Sequence, residues 1–238
     1  PNMANAFYDP DYDDLMFGDI NAAAPEDGFT NDATVIHHEY VHYIVEKIWS
    51  IQNFGQAGAL SEAVADYFSA SSLNDPSIGA SVNGALGNTG SLRDLDCTLP
   101  GIACRVLSDA SWTGEIHDDS NFLSQALWDI RRDRITALGY GPGRSCVDGL
   151  VFQSLLFFPE SFFEIYQGMD RIAAEARIAQ CNAIGSAAVR TQLSTAFNRH
   201  GLIMGGFTPN DVYDTAVSRN DAFESAVDVS TLSSVSAA

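Results

Sequence analysis

Val35-Ile36-His37-His38-Glu39-Tyr40-Val41-His42-Tyr43-Ile44-Val45 is the stretch from which the rest of the chain is read. Apolar residues at 35, 36, 40, 41, 44, 45 and 48 repeat with the 3.6-residue period of a buried or amphipathic helix, and Asn31 or Asp32 is a suitable N-cap. His38 and His42 are four residues apart, so on a helix one stands above the other. Both imidazoles then face one point, as a tetrahedral zinc site requires. Glu39 is held beside that point without being aimed at it, which suits it to take a proton from a water there. With five His and nine Glu in 238 residues, roughly 0.004 chance occurrences of this pattern are expected. Two ordinary helix histidines are therefore the weaker reading.

A catalytic zinc site needs a third protein ligand and keeps a fourth position for water. Glu62, twenty residues past His42, stands in Ala59-Leu60-Ser61-Glu62-Ala63-Val64-Ala65-Asp66 on a second predicted helix, 59–70. Ala, Leu and Val crowd it, unlike a solvated glutamate. Asp66, four residues on and on the same face, is placed to accept the outer N–H of a metal-bound histidine. Gly55 and Gly58 are read as the break between the two helices.

Upstream, Asn5-Ala6-Phe7-Tyr8 and Leu15-Met16-Phe17 flank an Asp-rich turn and predict a hairpin. Downstream, 74–114 reads as a long irregular segment, followed by helices over 120–134, 161–180 and 185–199. The tail after Gly205, rich in Ser, Ala and Asp, reads as a covering segment or the stump of a linker. There is no internal repeat.

The 31 acidic and 12 basic residues give a net charge of −19, and 46% of residues are hydrophobic. That is core enough for one large domain or two small lobes. So acidic a surface argues against nucleic acid as a partner and suits a saline or extracellular setting. No apolar run approaches the roughly 20 residues of a membrane span, so a soluble chain without a membrane partner is expected. Pro1 to Asp9 carry no signal-peptide features; for a secreted protein, the leader would already be gone. Cys97, Cys104, Cys146 and Cys181 allow three pairings. Closeness favours Cys97 with Cys104, leaving Cys146 with Cys181, against the alternative of four free thiols in a cytosolic protein.

His38-Glu39-x-x-His42, nineteen intervening residues, then Glu62 with Asp66 four further on resembles the thermolysin-like gluzincin metallopeptidases. The related aminopeptidases of that clan use eighteen intervening residues, and Ser61 departs from the Asn that often precedes the glutamate ligand. Asn5-Ala6-Phe7 resembles the edge strand that holds substrate through its Asn side chain and Ala backbone. Ser91-Leu92-Arg93 is similar to the segment supplying an arginine to the substrate carbonyl. Ile116-His117, ahead of Leu127-Trp128, is similar to the segment whose histidine stabilises the tetrahedral intermediate, and 157–201 resembles the end of the fungalysin branch in particular. The family's Asp that orients this histidine would fall on Trp112, which leaves Asp109 and Glu115 as candidates. Its oxyanion tyrosine is matched only by Gln52, Asn53 or Phe54.

The resemblance implies an α+β, mainly helical fold: a thermolysin-type catalytic core with a short N-terminal hairpin and a helical C-terminal lobe. It implies one catalytic domain over 1–204, with 1–73 carrying the edge strands and zinc helices, 74–204 the loop region and helical lobe, and 205–238 a tail. The function implied is a secreted, monomeric zinc endopeptidase acting on protein or peptide substrates. In it His38, His42 and Glu62 hold zinc, with Asp66 behind them, and Glu39 is the general base. Arg93 and His117 stabilise the oxyanion. Asn5 and Ala6 bind the peptide as an added strand, while Val35 and Leu92 line the pocket after the scissile bond and favour an apolar residue there. An aminopeptidase, or a zinc-stabilised binding module without catalysis, are the alternatives. Arg93 as a surface arginine and His117 as a loop histidine beside Asp118 and Asp119 are the plainer readings of those two residues. His37 lacks a partner at ligand spacing and His200 sits where a cation suits a helix end, so both read as structural. Asp9, Asp11, Asp13, Asp14 and Asp19 offer oxygens for calcium, although a solvated acidic loop is the simpler reading.

Overall fold

In the computed structural model, which describes residues 3–20, 28–108 and 110–203, Asp32 starts helix α1 (Ala33–Ile48) by accepting the backbone N–H of Thr34 at 3.0 Å. Its other oxygen accepts N–H groups of Ser81 and Val82 at 2.8 and 3.4 Å, which ties α3 (Ala80–Ala85) to the same point. The hairpin β1 (Ala6–Asp9) and β2 (Asp14–Phe17) pairs Ala6 with Phe17 and Asp9 with Asp14. It rests on α1 through an edge contact of Tyr8 with Tyr43 and through Lys47, whose ammonium lies 2.5 Å from Asp13.

Helix α2 (Gly55–Leu73) packs along α1. Contrary to the sequence reading, Gly58 lies inside it: a Cβ there would come within 2.8 Å of the Asn53 backbone and the Ile116 side chain, so the glycine serves close packing, not a break. A short ladder, β3 (Ser77–Ile78) with β4 (Arg93–Asp94), follows, pairing Ile78 with Arg93. Helix α4 (Ile116–Leu138) is central, packing on α2, on α5 (Tyr140–Leu155) and on α7 (Ser186–Arg199), while α6 (Phe162–Ala174) covers α5. Leu60, Val64, Phe122, Leu127, Leu150 and Ile165 meet in the largest core cluster.

The fold is thus α+β and mainly helical, as expected. The helix predicted over 161–180 stops at Ala174 and gives way to a 3₁₀ turn over Ala179–Ile184. Both disulfides favoured by spacing are present, Cys97–Cys104 and Cys146–Cys181. No helix among the described residues is long and apolar enough to cross a membrane. The proposed tail, 205–238, lies outside the described residues.

Asp129 on α4 gathers three partners at the C-terminal end of α7. Arg132 and Arg199 lie 2.6 and 2.5 Å from its oxygens, and the fully buried His200 lies 3.3 Å away while donating to the Arg105 carbonyl at 2.7 Å. Burial alone would raise the Asp129 pKa, but His200, Arg132 and Arg199 outweigh it and hold it below the ordinary carboxylate value. A depressed pKa means stability present above the unfolded value near 3.8 and lost as pH falls through the folded one. Asp129→Asn should cost on the order of 2 kcal/mol at neutral pH. In denaturant titrations the gap to wild type should close below about pH 4.

Candidate metal and catalytic site

One turn of α1 and one of α2 bring His38, His42 and Glu62 together. The two Nε2 atoms are 3.0 Å apart, and the Glu62 oxygens lie 3.2 Å from that of His38 and 3.3 Å from that of His42. A tetrahedral ion with bonds of about 2.0–2.1 Å to nitrogen and oxygen separates its donors by about 3.3 Å, so the two imidazoles and the Glu62 carboxylate, one oxygen of which is near each ring, have the spacing of three ligands of such a site. Glu62 is 7% exposed, and its Oε2 is buried without a hydrogen-bond donor.

Behind the three, the buried Asp66 lies with Oδ1 2.9 Å from His38 Nδ1, and Ser61 Oγ lies 3.2 Å from His42 Nδ1. Each imidazole therefore has an oxygen on its outer nitrogen, which turns its Nε2 toward Glu62. Arg93 on β4 donates to Asp66 through Nε at 2.6 Å and Nη2 at 2.7 Å.

Charge decides what this arrangement can hold. Burial would raise Glu62 and Asp66, but the histidines hold the first well below its ordinary range, and Arg93 with His38 lowers the second. Burial likewise opposes charge on His38, yet Asp66 and Glu62 push its pKa up to about 10. Charged His38 and the Arg93 guanidinium answer the two buried carboxylates, and a divalent cation would displace the His38 proton and take its place. The residues fit a metal on donor chemistry, spacing and the orphaned Glu62 oxygen together.

Glu39 is 7% exposed, lines the adjoining cleft of about 420 Å³, and has no hydrogen bond or ion pair with any described residue. A nearly buried carboxylate with no hydrogen-bond partner among the described residues, beside such a cluster, marks a candidate functional group. His117, in the first turn of α4, also lines the cleft, with Nε2 3.5 Å from Glu62 Oε2. Glu115 settles which carboxylate orients it. Its Oε1 is 2.6 Å from His117 Nδ1, and its Oε2 caps α4 by accepting the Asp118 N–H at 2.8 Å. Asp119 turns away to the backbone of Thr113 and Gly114. Asp109 lies outside the described residues.

Asn5 and Ala6 form one wall of the cleft, with Asn53 across it. Three expected roles look different in place. Val35 and Leu92 are not among the lining residues: Val35 packs with Phe29 and Val82, and Leu92 covers Gly79. Arg93, also absent from the lining, spends two of its nitrogens on Asp66 and touches the cluster only through it. His37 contacts Ser72 Oγ at 2.6 Å, away from the cluster.

The acidic hairpin turn does not gather for calcium. Asp13 is taken by Lys47 and by the Tyr8 hydroxyl, and among the described residues no three of these carboxylates converge. The other described group of ligand type, Cys97, Asp129 and His200, has its sulfur tied in a disulfide.

No protein-family model and no curated protein sequence matches the chain. Among solved structures, the precursor of protealysin, a metalloproteinase from Serratia proteamaculans, superposes with a TM-score of 0.62 at 20% identity, over 84% of this chain and 66% of that one. The chain thus spans just under two thirds of that structure's length. At this identity the likeness shows the fold, which is that of the thermolysin-like metalloproteinases, and it lends no support to the fungalysin branch in particular.

Replacing Asp66 by Asn removes the charge that both Arg93 and His38 answer. Metal affinity, measured by competition with a chromogenic chelator, should fall about 10- to 100-fold. Ser61→Ala, which loses only a neutral contact, should fall less.

Proposed function

We propose that residues 1–204 form the catalytic unit of a secreted zinc endopeptidase that cuts peptide bonds in proteins or peptides. The observation that carries this reading is the convergence of His38, His42 and Glu62 at ligand spacing, beside a nearly buried Glu39 that has no hydrogen-bond partner among the described residues and opens on a cleft. Two disulfides favour an oxidising, extracellular setting.

His38, His42 and Glu62 would hold the zinc, which when bound supplies a Lewis acid for the scissile carbonyl and lowers the pKa of a water. Glu39 takes that water's proton and passes it to the leaving amine, since no other described residue competes for its oxygens. His117, held by Glu115 through Nδ1, has Nε2 on the cleft side, where the imidazolium form would donate to the oxygen on which charge develops. Arg93 fixes Asp66, and through it the ring of His38. Its Nη1, without a partner among the described residues, is the donor left for a substrate carbonyl. The substrate lies as an added strand along Asn5 to Phe7, with the residue after the scissile bond toward the Val35 end of α1.

Glu39→Gln keeps the shape and removes the base. The variant should fold and bind metal like wild type while hydrolysis of casein drops at least about a hundredfold; undiminished activity would remove Glu39 from the mechanism. Peptides with Leu after the scissile bond should be cut faster than those with Asp there, and equal rates would count against an apolar pocket.

A further inference from the structure

Glu46 stands four residues beyond His42 and eight beyond His38, on the same face of α1, and lines the same cleft. It is half-buried and makes no hydrogen bond or ion pair with any described residue. The adjacent Lys47 does not neutralise it, because that ammonium sits 2.5 Å from Asp13 and over the ring of Tyr43. The facing wall is Tyr8 and Pro10, part of the hairpin turn that also carries Asp9, Asp11 and Asp14, and none of these three has an ion-pair partner among the described residues. The lining groups able to carry positive charge, His38, His42 and His117, all lie at the metal cluster. This end of the cleft therefore has negative charge and, among the described residues, no cation to answer it.

Position decides which part of a substrate meets it. At 1.5 Å per residue Glu46 lies about 6 Å past His42 along the helix, whereas Val35 precedes His38. If residues after the scissile bond run toward Val35, those before it run toward Glu46. About 6 Å is two residues of extended chain. A partly desolvated carboxylate gains most from a cation, gains little from a neutral group and repels an acid, so it sorts substrates by penalty as well as attraction.

We propose that Glu46 is a specificity-determining residue that selects a cationic nitrogen within the two residues preceding the scissile bond, carried by a Lys or Arg side chain or by the substrate's own N-terminus. This rests on the peptidase reading above and names its substrate class.

The test uses the zinc-loaded chain and internally quenched peptides identical after the scissile bond. One acetylated set carries Lys, Gln or Glu at each of the two preceding positions; a second set repeats the Gln peptides with a free amine, shortened so that the amine falls there. Wild type should prefer Lys over Gln, or free over acetylated amine, by about five- to tenfold in kcat/KM at low salt. The preference should shrink as salt screens it. Glu46→Gln should bring the ratio to near one, and Glu46→Lys should invert it in favour of Glu, a reversal that a merely structural role would not produce. The set that responds identifies the source of the cation. Preferences within twofold in both sets, or a preference unmoved in both variants, overturn the proposal. If none of the peptides is cut, including the neutral one, it is the peptidase reading that fails, and this inference falls with it.

Discussion

Glu62 can meet two imidazoles on a neighbouring helix only if α1 and α2 run close together over the turn that holds all three. The sequence of α2 arranges this with small side chains. Ala59, Ala63 and Ser61 flank the ligand and are buried, and Gly58 lets the helix start abut Asn53 and Ile116. Ser69 donates to the Thr34 carbonyl at 2.6 Å, which fixes the far end of the pair, while Thr34 Oγ1 accepts the Gly79 N–H at 2.8 Å. Close packing of this kind leaves little freedom for sliding, so the spacing of the three donors follows from the helix–helix contact.

That contact creates an electrostatic problem, because it buries carboxylates. Arg93 answers part of it, and the two-residue ladder of β3 and β4 is what delivers it: pairing with Ile78 sets the Arg93 backbone beside α2, and the guanidinium closes on Asp66 with two short hydrogen bonds. Each link then supports the next, from Arg93 to Asp66 to His38 to Glu62. A divalent cation would take the place of the His38 proton in this chain of charged contacts, which would couple metal binding to the integrity of the site.

The three candidate ligand positions could be picked out in the sequence because helical spacing alone dictates that residues four apart share a face, and Glu62 could be told from a surface residue by its apolar neighbours. The disulfides were legible from separation along the chain. Helix α5 was not: no helix is expected between 134 and 161, where Gly139, Gly141, Pro142 and Gly143 are poor helix formers, yet Pro142 stands in the first turn, where no intrahelical donor is needed. Gly143 is where α5 crosses α4, and a Cβ there would come within 2.5 Å of Ile135. Glycine as a packing residue and glycine as a breaker look alike in a sequence. Val35 was legible as apolar and near His38, but which side of the helix its neighbours would claim depended on Phe29 and Val82 folding beneath it. Glu46 gave no signal at all, since its proposed role rests on the lack of an ion-pair partner among the described residues.

Glu115 shows why the orienting group for His117 was also hidden. A carboxylate two residues from a histidine on a regular helix points elsewhere. Here Glu115 is the N-cap, with extended backbone, and from that position one carboxylate reaches both the Asp118 N–H and the His117 ring. The cap stabilises the start of α4, and α4 is the helix that the rest of the helical lobe packs on. The side chain that meets the His117 ring is therefore the same one that begins the central helix. The direction of that imidazole is fixed by where α4 starts, so the helical lobe contributes to the cleft through one capping interaction, with no loop of its own needed to place the histidine.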